Sequence, residues 1–448
     1  MKVQFYRKVE TMRTKMSRRH FLQASAVLSC AASIGAAAHV HAGESNVLKI
    51  GLIGCGGRGC GAVSDAMTID PNTKLVAAAD LFRERGEPAI EGLKQKYGSR
   101  VTVDKNSFFD GFEGYKNVLK SDIDVVILAT PQLFRPYTLR DAIAAGKHVF
   151  CEKPVAVDGV GLRMIMAACE EARKKKLNIV SGLINRYYTS IQDIVKRIHD
   201  GAIGEVLCAR AQRMGSNGLW KRPRLKGDTE MQYQMRNWVN FNWIASEYIN
   251  DVTIHQIDVA LWCMGDSTPV AGIGMGGRLA RRELDTGDMY DSMATTCEFE
   301  DGRFLQSYSR QIPGAWSDNT SYISGSKGRA VIRDDGRLLQ LFGEGIDYKP
   351  IKPQIVGREY EHKVLLDAIR SGGSVYVNNG NYMANSTGTC LLGKLAAYTG
   401  KRVTWDEMLA YEEGKPKSWT WDAVPPTLPN EKGMYKIAIP HEGWGYLN

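Results

Sequence analysis

The apolar run Val47-Leu48-Lys49-Ile50-Gly51-Leu52-Ile53 leads without a break into Gly54-Cys55-Gly56-Gly57-Arg58-Gly59, a G-x-G-x-x-G turn. A buried strand ending in such a turn has to feed a helix. The first glycine permits a sharp reversal, the second lets a ligand approach the backbone, and the third lets the helix pack closely on the strand. The helix then offers its unpaired N–H groups to an anion. This suits the pyrophosphate of a dinucleotide, with Gly54, Gly56, Gly57, Arg58 and Gly59 as the cradle. About 20 residues past the last glycine, the apolar segment Lys74 to Ala79 ends in Asp80, where a carboxylate bonds a ribose 2′-hydroxyl. Asp80 favours NAD over NADP. Arg83 and Arg85 follow closely and leave NADP open, since a guanidinium can neutralise a 2′-phosphate.

Further along, residues 123–131 form a continuous apolar run closed by Thr130-Pro131, residues 137–145 are helix-like, and residues 146–151 and 177–183 read as two more strands. Repeated βαβ units of this kind build a parallel sheet. Beyond residue 184 the strands lengthen (202–210, 292–299, 303–309), with an alternation that suits a sheet covered on one face. The expected fold is α/β. A Rossmann dinucleotide-binding domain spans 47–183, and a C-terminal α+β domain with a large, mostly antiparallel open sheet spans 184–448. The Gly/Asp/Arg-rich patches at 275–288 and 334–346 read as surface turns.

The first forty-two residues carry seven basic residues (Lys2, Arg7, Lys8, Arg13, Lys15, Arg18, Arg19) against one acid, Glu10. They account for six of the chain's nine net positive charges, so the remainder is nearly balanced. That removes most of the case for nucleic acid or an anionic membrane as partner. Ser17-Arg18-Arg19-His20-Phe21-Leu22 matches a twin-arginine export signal, followed by a weakly apolar run and a small-residue cleavage site at Val40-His41-Ala42. Residues 1–42 are therefore expected to be a leader and the protein periplasmic. Val27-Leu28-Ser29-Cys30 is a looser alternative that would leave a lipid on Cys30. No later run reaches the ~20 apolar residues of a membrane span. An exported dinucleotide protein would have to load its cofactor in the cytoplasm and hold it tightly. The nine cysteines show no C-x-x-C pair and no zinc spacing, and read as small core residues; a Cys55–Cys60 disulfide would rigidify the phosphate turn.

Gly146-Lys147-His148-Val149-Phe150-Cys151-Glu152-Lys153-Pro154 resembles the glucose-fructose oxidoreductase, inositol dehydrogenase and MocA family. The resemblance extends over about residues 47–410. It includes the phosphate turn, Ala129-Thr130-Pro131, Asp200 to Glu205, and Asp251 with His255 and Asp258 before Trp262. It implies hydride exchange between a carbohydrate hydroxyl carbon and a nicotinamide. It also implies a cis bond before Pro154, cofactor contacts from Thr130, Pro131, Glu152 and Lys153, and oligomers packed through the second sheet.

The residues support that chemistry in their own right. Lys153 stands at the end of a parallel strand, where α/β sheets place ligands, with Glu152 able to steer it. Its ammonium can bond a sugar hydroxyl or shuttle the proton. Asp251 and His255, four apart, share one face of a helix, so the carboxylate can orient an imidazole that takes the proton. Lys153, Asp251 and His255 are the candidate catalytic residues, while Asp258 reads as structural. Arg135, which follows the Thr-Pro turn, Arg186 and Tyr187 at a substrate-facing crossover, and Trp238 are the candidate substrate contacts. Trp238 belongs to an aromatic stretch (Trp220, Tyr233, Phe241, Trp243) interleaved with arginines, which suits either sugar stacking or a core or subunit interface. Where many members of the family have a histidine after the Thr-Pro turn, this chain has Gln132. Where many have a glycine-rich lead into the catalytic helix, it has Ser246-Glu247-Tyr248. Two activities fit: net oxidation of a sugar or glycoside, and a redox-neutral glycoside hydrolase or lyase working through a transient keto-sugar.

Overall fold

Six short strands, the first of them the opening apolar run, form the sheet of the N-terminal half, as the βαβ pattern requires: β1 (Leu48–Ile53), β2 (Thr73–Asp80), β3 (Phe108–Asp110), β4 (Val125–Leu128), β5 (His148–Cys151) and β6 (Ile179–Ser181). In the computed structural model, which describes residues 46–281, 286–352 and 355–437, they pair in the order β3-β2-β1-β4-β5-β6, every neighbour parallel. The order reverses between β1 and β4, so the carboxyl ends of these strands open a crevice there. The leader expected at 1–42, with Arg18, Arg19 and Cys30, falls outside the described residues.

The second sheet comprises β7 (Val206–Gly215), β8 (Ala271–Gly277), β9 (Ser292–Glu298), β10 (Phe304–Gln311), β11 (Asp318–Gly325), β12 (Gly328–Arg333), β13 (Leu339–Gly343) and β14 (Val403–Thr404). Its order is β13-β12-β11-β7-β10-β9-β8-β14. All pairs are antiparallel except β7 with β10, so the sheet is mixed. Burial alternates along β9 and β10, with Leu305, Ser307 and Ser309 facing the helices Ile254–Cys263 and Gly380–Thr399. The opposite face is open and carries Ile273, Met275 and Phe304, which are 44%, 73% and 38% exposed.

Two expectations change. The described residues of 275–288 are not all surface turn: β8 runs to Gly277, and Arg281 is 2% exposed, its guanidinium donating to Asn240 Oδ1 (2.7 Å) and Gln311 Oε1 (2.9 Å). A guanidinium with enough acceptors can be buried, and the sequence does not show those acceptors. Within 334–346, Leu339–Gly343 is the edge strand β13, paired with β12.

The chain returns to the first sheet near its end. The helix Gly357–Arg370 packs on Gly57–Ile69, and residues 377–379 run beside β6, with Ile179 N–H donating to Val377 O (2.9 Å) and Asn379 N–H to Ile179 O (3.0 Å). One core consequently joins both sheets. Among the described residues all eight cysteines are free, Cys55 and Cys60 included, and no helix is long and apolar enough to cross a membrane.

Candidate active site

The glycines of the first turn divide by what surrounds them. Gly54 has φ +97°, and a Cβ on it would lie 2.7 Å from the Ala129 carbonyl; a Cβ on Gly59 would lie 1.9 Å from Gly54 O. Both positions need glycine for the protein's own packing. A Cβ on Gly56 or Gly57 meets nothing within 4 Å, because these face the open cleft. The helix Gly57–Ile69 begins there with no side-chain cap, so its N-terminus is left to a ligand. Asp80 ties the turn down, Oδ2 accepting from Cys55 N–H (2.8 Å) and Oδ1 from Phe82 N–H (2.9 Å), while it lines the cleft. Open space over the middle glycines, a free helix end and a carboxylate at the tip of β2 fit a dinucleotide.

Thr130, Pro131 and Arg85 line the same cleft, and Trp238 borders both of its ends. Arg83 is spent on Asp110 and Glu87, 2.6 Å each. Burial and the Arg222 guanidinium pull Arg85 below the ordinary arginine range. Arg58 borders the other end, its Nε 2.8 Å from Glu152 Oε1 and its Nη2 2.8 Å from Asp65 Oδ2.

At this second end two of the catalytic candidates, Lys153 and Asp251, meet. The Lys153–Pro154 bond is cis. Lys153 Nζ donates to the backbone carbonyl of Asp251 and lies 3.9 Å from its Oδ1, and both side chains are less than a fifth exposed. Gln132 Nε2 donates to the same Oδ1 (2.9 Å) and to Ala245 O (3.3 Å), locking the Asp251 carboxylate to the turn after β4. No sequence signal marked Gln132 as the residue that holds Asp251, since the two are 119 positions apart.

His255 is half-buried, with Nδ1 buried and unpartnered. Burial, then the charges of Lys153, Arg213 and Arg358, hold its pKa well below the usual histidine value, so the ring is neutral near pH 7. The segment is not the uniform α-helix that the four-residue spacing suggested. Asp251 sits in a π-helical turn, Ile249–Thr253, and the α-helix begins at Ile254. Ser246 (φ 55°) and Glu247 (φ 82°) precede it in left-handed conformation, where a glycine would be unstrained. Glu247 is buried and anchored, accepting from Tyr290 N–H (2.6 Å), Tyr248 N–H (3.1 Å) and the Tyr398 hydroxyl.

Four of the expected binding residues are engaged within the protein. Arg135 is 5% exposed, and its guanidinium donates to the carbonyls of Pro154 and Thr130, so it braces two loops. Arg186 is 8% exposed, forked onto Asp258 (2.8–3.0 Å) and paired with Asp266, its plane 3.9 Å from the Tyr382 ring centre. Tyr187 is buried with its hydroxyl on Asn379 Oδ1 (2.7 Å). Glu152, 3% exposed, reaches the cleft only through Arg58; its Oε2 accepts the Lys153 backbone N–H (3.2 Å) and does not steer the ammonium. In each case a buried charge or hydroxyl demands a partner; for Arg186, Tyr187 and Glu152 it comes from a segment distant in sequence, and for Arg135 from carbonyls 5 and 19 residues away. The aromatic stretch splits: Tyr233, Phe241 and Trp243 are core, while Trp220 and Trp238 border the cleft. Trp419, from the far C-terminal tail, joins the cleft wall with no sequence cue.

A doubly wound parallel sheet with a glycine turn at its switch point, joined to a second domain whose helical turn supplies Asp251 at the cleft edge, defines a two-part dinucleotide-binding protein. Residues 48–182 match the oxidoreductase family, NAD-binding Rossmann fold, of the GFO/IDH/MocA group, and residues 191–331 match the GFO/IDH/MocA C-terminal domain. The chain belongs to the GFO/IDH/MocA oxidoreductase family. It is similar to inositol 2-dehydrogenase of Rhizobium meliloti (strain 1021), 26% identical over 68% of this chain and 82% of that one. It is also similar to 2,7-anhydro-N-acetylneuraminate hydratase of Escherichia coli (strain K12), 27% identical over 47% of this chain and 51% of that one, so about half of this second relative is spanned. The fold matches an aldose-aldose oxidoreductase from Caulobacter crescentus complexed with glycerol, with a TM-score of 0.63 and 19% identity over 80% of this chain and all of that one.

Proposed function

We propose that the protein is a nicotinamide-dependent oxidoreductase of a sugar, polyol or glycoside hydroxyl carbon. The observation that carries this reading is the meeting of Lys153, Asp251 and Gln132 at the lip of the cleft beside Gly56 to Gly59. The bound nicotinamide would supply the hydride acceptor or donor. One Lys153 N–H is used by the Asp251 carbonyl, leaving donors for the substrate hydroxyl and for the negative charge that grows on its oxygen. His255, neutral near pH 7, takes the hydroxyl proton. Asp251, fixed by Gln132, holds Lys153 in place. NAD is the favoured cofactor because Asp80 would repel a 2′-phosphate, with Arg85 as the opposing influence; Asp80→Ala should weaken NAD binding far more than NADP binding, and equal losses would remove Asp80 from the ribose.

Export of a loaded, tightly held cofactor follows from the leader and belongs to the same proposal, as does a homo-oligomer formed through the open sheet face around Ile273, Met275 and Phe304. The similarity to a hydratase supports a second reading, a redox-neutral hydrolase or lyase in which the same oxidation acidifies a neighbouring C–H and hydride later returns. Protein purified without added cofactor and mixed with polyols, sugars and glycosides separates the two. A stoichiometric rise in reduced-nicotinamide absorbance with an oxidised product supports the dehydrogenase. Aglycone release with only a transient rise supports the second reading, and an unaltered response in Lys153→Met would refute both mechanisms.

A further inference from the structure

The last described segment, residues 411–437, lies beyond both regions matched to the family, and it crosses the cleft. Its entry point is fixed by buried charge. Lys394, fully buried, lies 2.8 Å from Glu413 Oε2, which also accepts the Tyr411 hydroxyl. Glu413 N–H (3.1 Å) and Lys415 Nζ (3.2 Å) both reach Asp158 Oδ2, while Asp158 Oδ1 caps the helix Gly159–Lys175 of the first domain (2.6 Å).

From there Trp419 and Trp421 insert among Phe82, Phe112 and Phe134, which stand after β2, β3 and β4. Ring centres lie 5.7 Å (Trp419 to Phe112), 5.3 Å (Trp419 to Phe134), 4.8 Å (Trp421 to Phe112) and 5.1 Å (Trp421 to Phe82) apart. The tail next reaches the opposite bank. Trp421 O accepts the Thr229 hydroxyl, Thr427 O accepts Gln234 Nε2 (2.7 Å), and Tyr435 stands edge-on to Phe241 at 5.0 Å with its hydroxyl on Glu230. Trp419, half-buried, lines the same end of the cleft as Asp80 and Phe112.

We propose that residues 411–437 are a strap over the purine half of the bound dinucleotide, with Trp419 the ring against which the base packs. The inference rests on the dinucleotide reading above and supplies a physical basis for tight retention. The base has two faces to cover, the first domain presents one side of this end of the cleft, and an aromatic wall from the tail closes the other. Release of the dinucleotide then requires the strap to lift, which breaks the bridge between the two banks.

The test uses the full chain and two fragments of the cofactor, ADP-ribose and nicotinamide mononucleotide. Trp419→Ala should weaken ADP-ribose about 10-fold, at the lower end of what loss of a base–aromatic stack costs, and speed dissociation of the whole dinucleotide. Trp419→Phe should restore most of the affinity, and nicotinamide mononucleotide should bind all three proteins alike. Unchanged ADP-ribose binding in folded Trp419→Ala, or equal losses for both fragments, would overturn the strap. Hydrogen exchange on the wild-type protein tests it without substitution: ADP-ribose should slow exchange in residues 411–437 and the mononucleotide should not, and no slowing by bound ADP-ribose would also overturn it. A wild-type protein that binds neither ADP-ribose nor a nicotinamide dinucleotide would refute the dinucleotide reading itself.

Discussion

Arg186 is the residue on which a substrate-binding and a structural reading differ most sharply, and the perturbation that separates them is Arg186→Met. The guanidinium makes three nitrogen–oxygen contacts with Asp258 at 2.8–3.0 Å, and Ser386 Oγ adds a fourth contact at 2.8 Å. Asp258 is fully buried, and burial pushes its carboxyl above the usual range despite the neighbouring arginine. Methionine fills a similar volume but leaves this carboxylate with one donor. Removing one partner of a buried pair costs about 3–5 kcal/mol. The second pair contributes little, because Asp266 is 38% exposed and screened by water. At an unfolding entropy of about 2 cal/mol/K per residue, a chain of this size loses roughly 5 °C of Tm for that cost. The assay is paired: thermal unfolding by calorimetry, and kcat and KM below the transition. A lowered Tm with KM nearly unchanged is expected. An unchanged Tm with a raised KM would show that Arg186 faces the substrate and that the buried-pair argument is wrong.

Two neighbouring glycines should respond in opposite ways. Gly59→Ala places a methyl against Gly54 O and should lower Tm by several degrees, whereas Gly56→Ala, at φ −72° with open space above it, should leave Tm within a degree and weaken dinucleotide binding at least 10-fold; calorimetry beside a binding titration checks both, and a Gly56→Ala protein with full affinity would remove the phosphate from this turn. His362 provides a pH dependence. It is buried 4.1 Å from the Phe150 ring with Nε2 unpartnered, and burial, then the Arg58 charge, lowers its pKa to about 3. In the unfolded chain it titrates near pH 6.5. Between these values the unfolded state holds more protons, so stability is present above about pH 6.5 and is lost as the pH falls toward 3, by about 2 kcal/mol at pH 5. Denaturant titrations should show that slope reduced in His362→Phe, and an identical slope would mean that this ring charges in the folded state.

What the sequence determined about this protein is what local periodicity and short motifs can carry. Gly54, Gly56 and Gly59 after an apolar run, Asp80 at the end of the next, and the apolar segments through residue 183 are each readable within a few residues, because strand burial and turn conformation are local demands. They were enough for the parallel sheet and its crevice, and the alternation along β9 and β10 was enough for a one-sided sheet. Tertiary structure decided which polar groups remained for a ligand. Arg135, Arg186, Tyr187 and Glu152 look like binding residues in a linear reading, yet each is engaged within the protein, Arg135 by nearby carbonyls and the others by Asp258, Asn379 and Arg58. Gln132 on Asp251 and Trp419 on the cleft wall are contacts between segments more than a hundred residues apart, and no window of sequence contains both halves. The π-helical turn that carries Asp251 comes just after a left-handed Ser246–Glu247 step that a buried hydrogen-bond network holds. A chain's own sequence states its local preferences, but an unpaired charge cannot be left in an apolar interior, so the assignment of each buried charge to structure or to ligand waits until distant segments have been packed together.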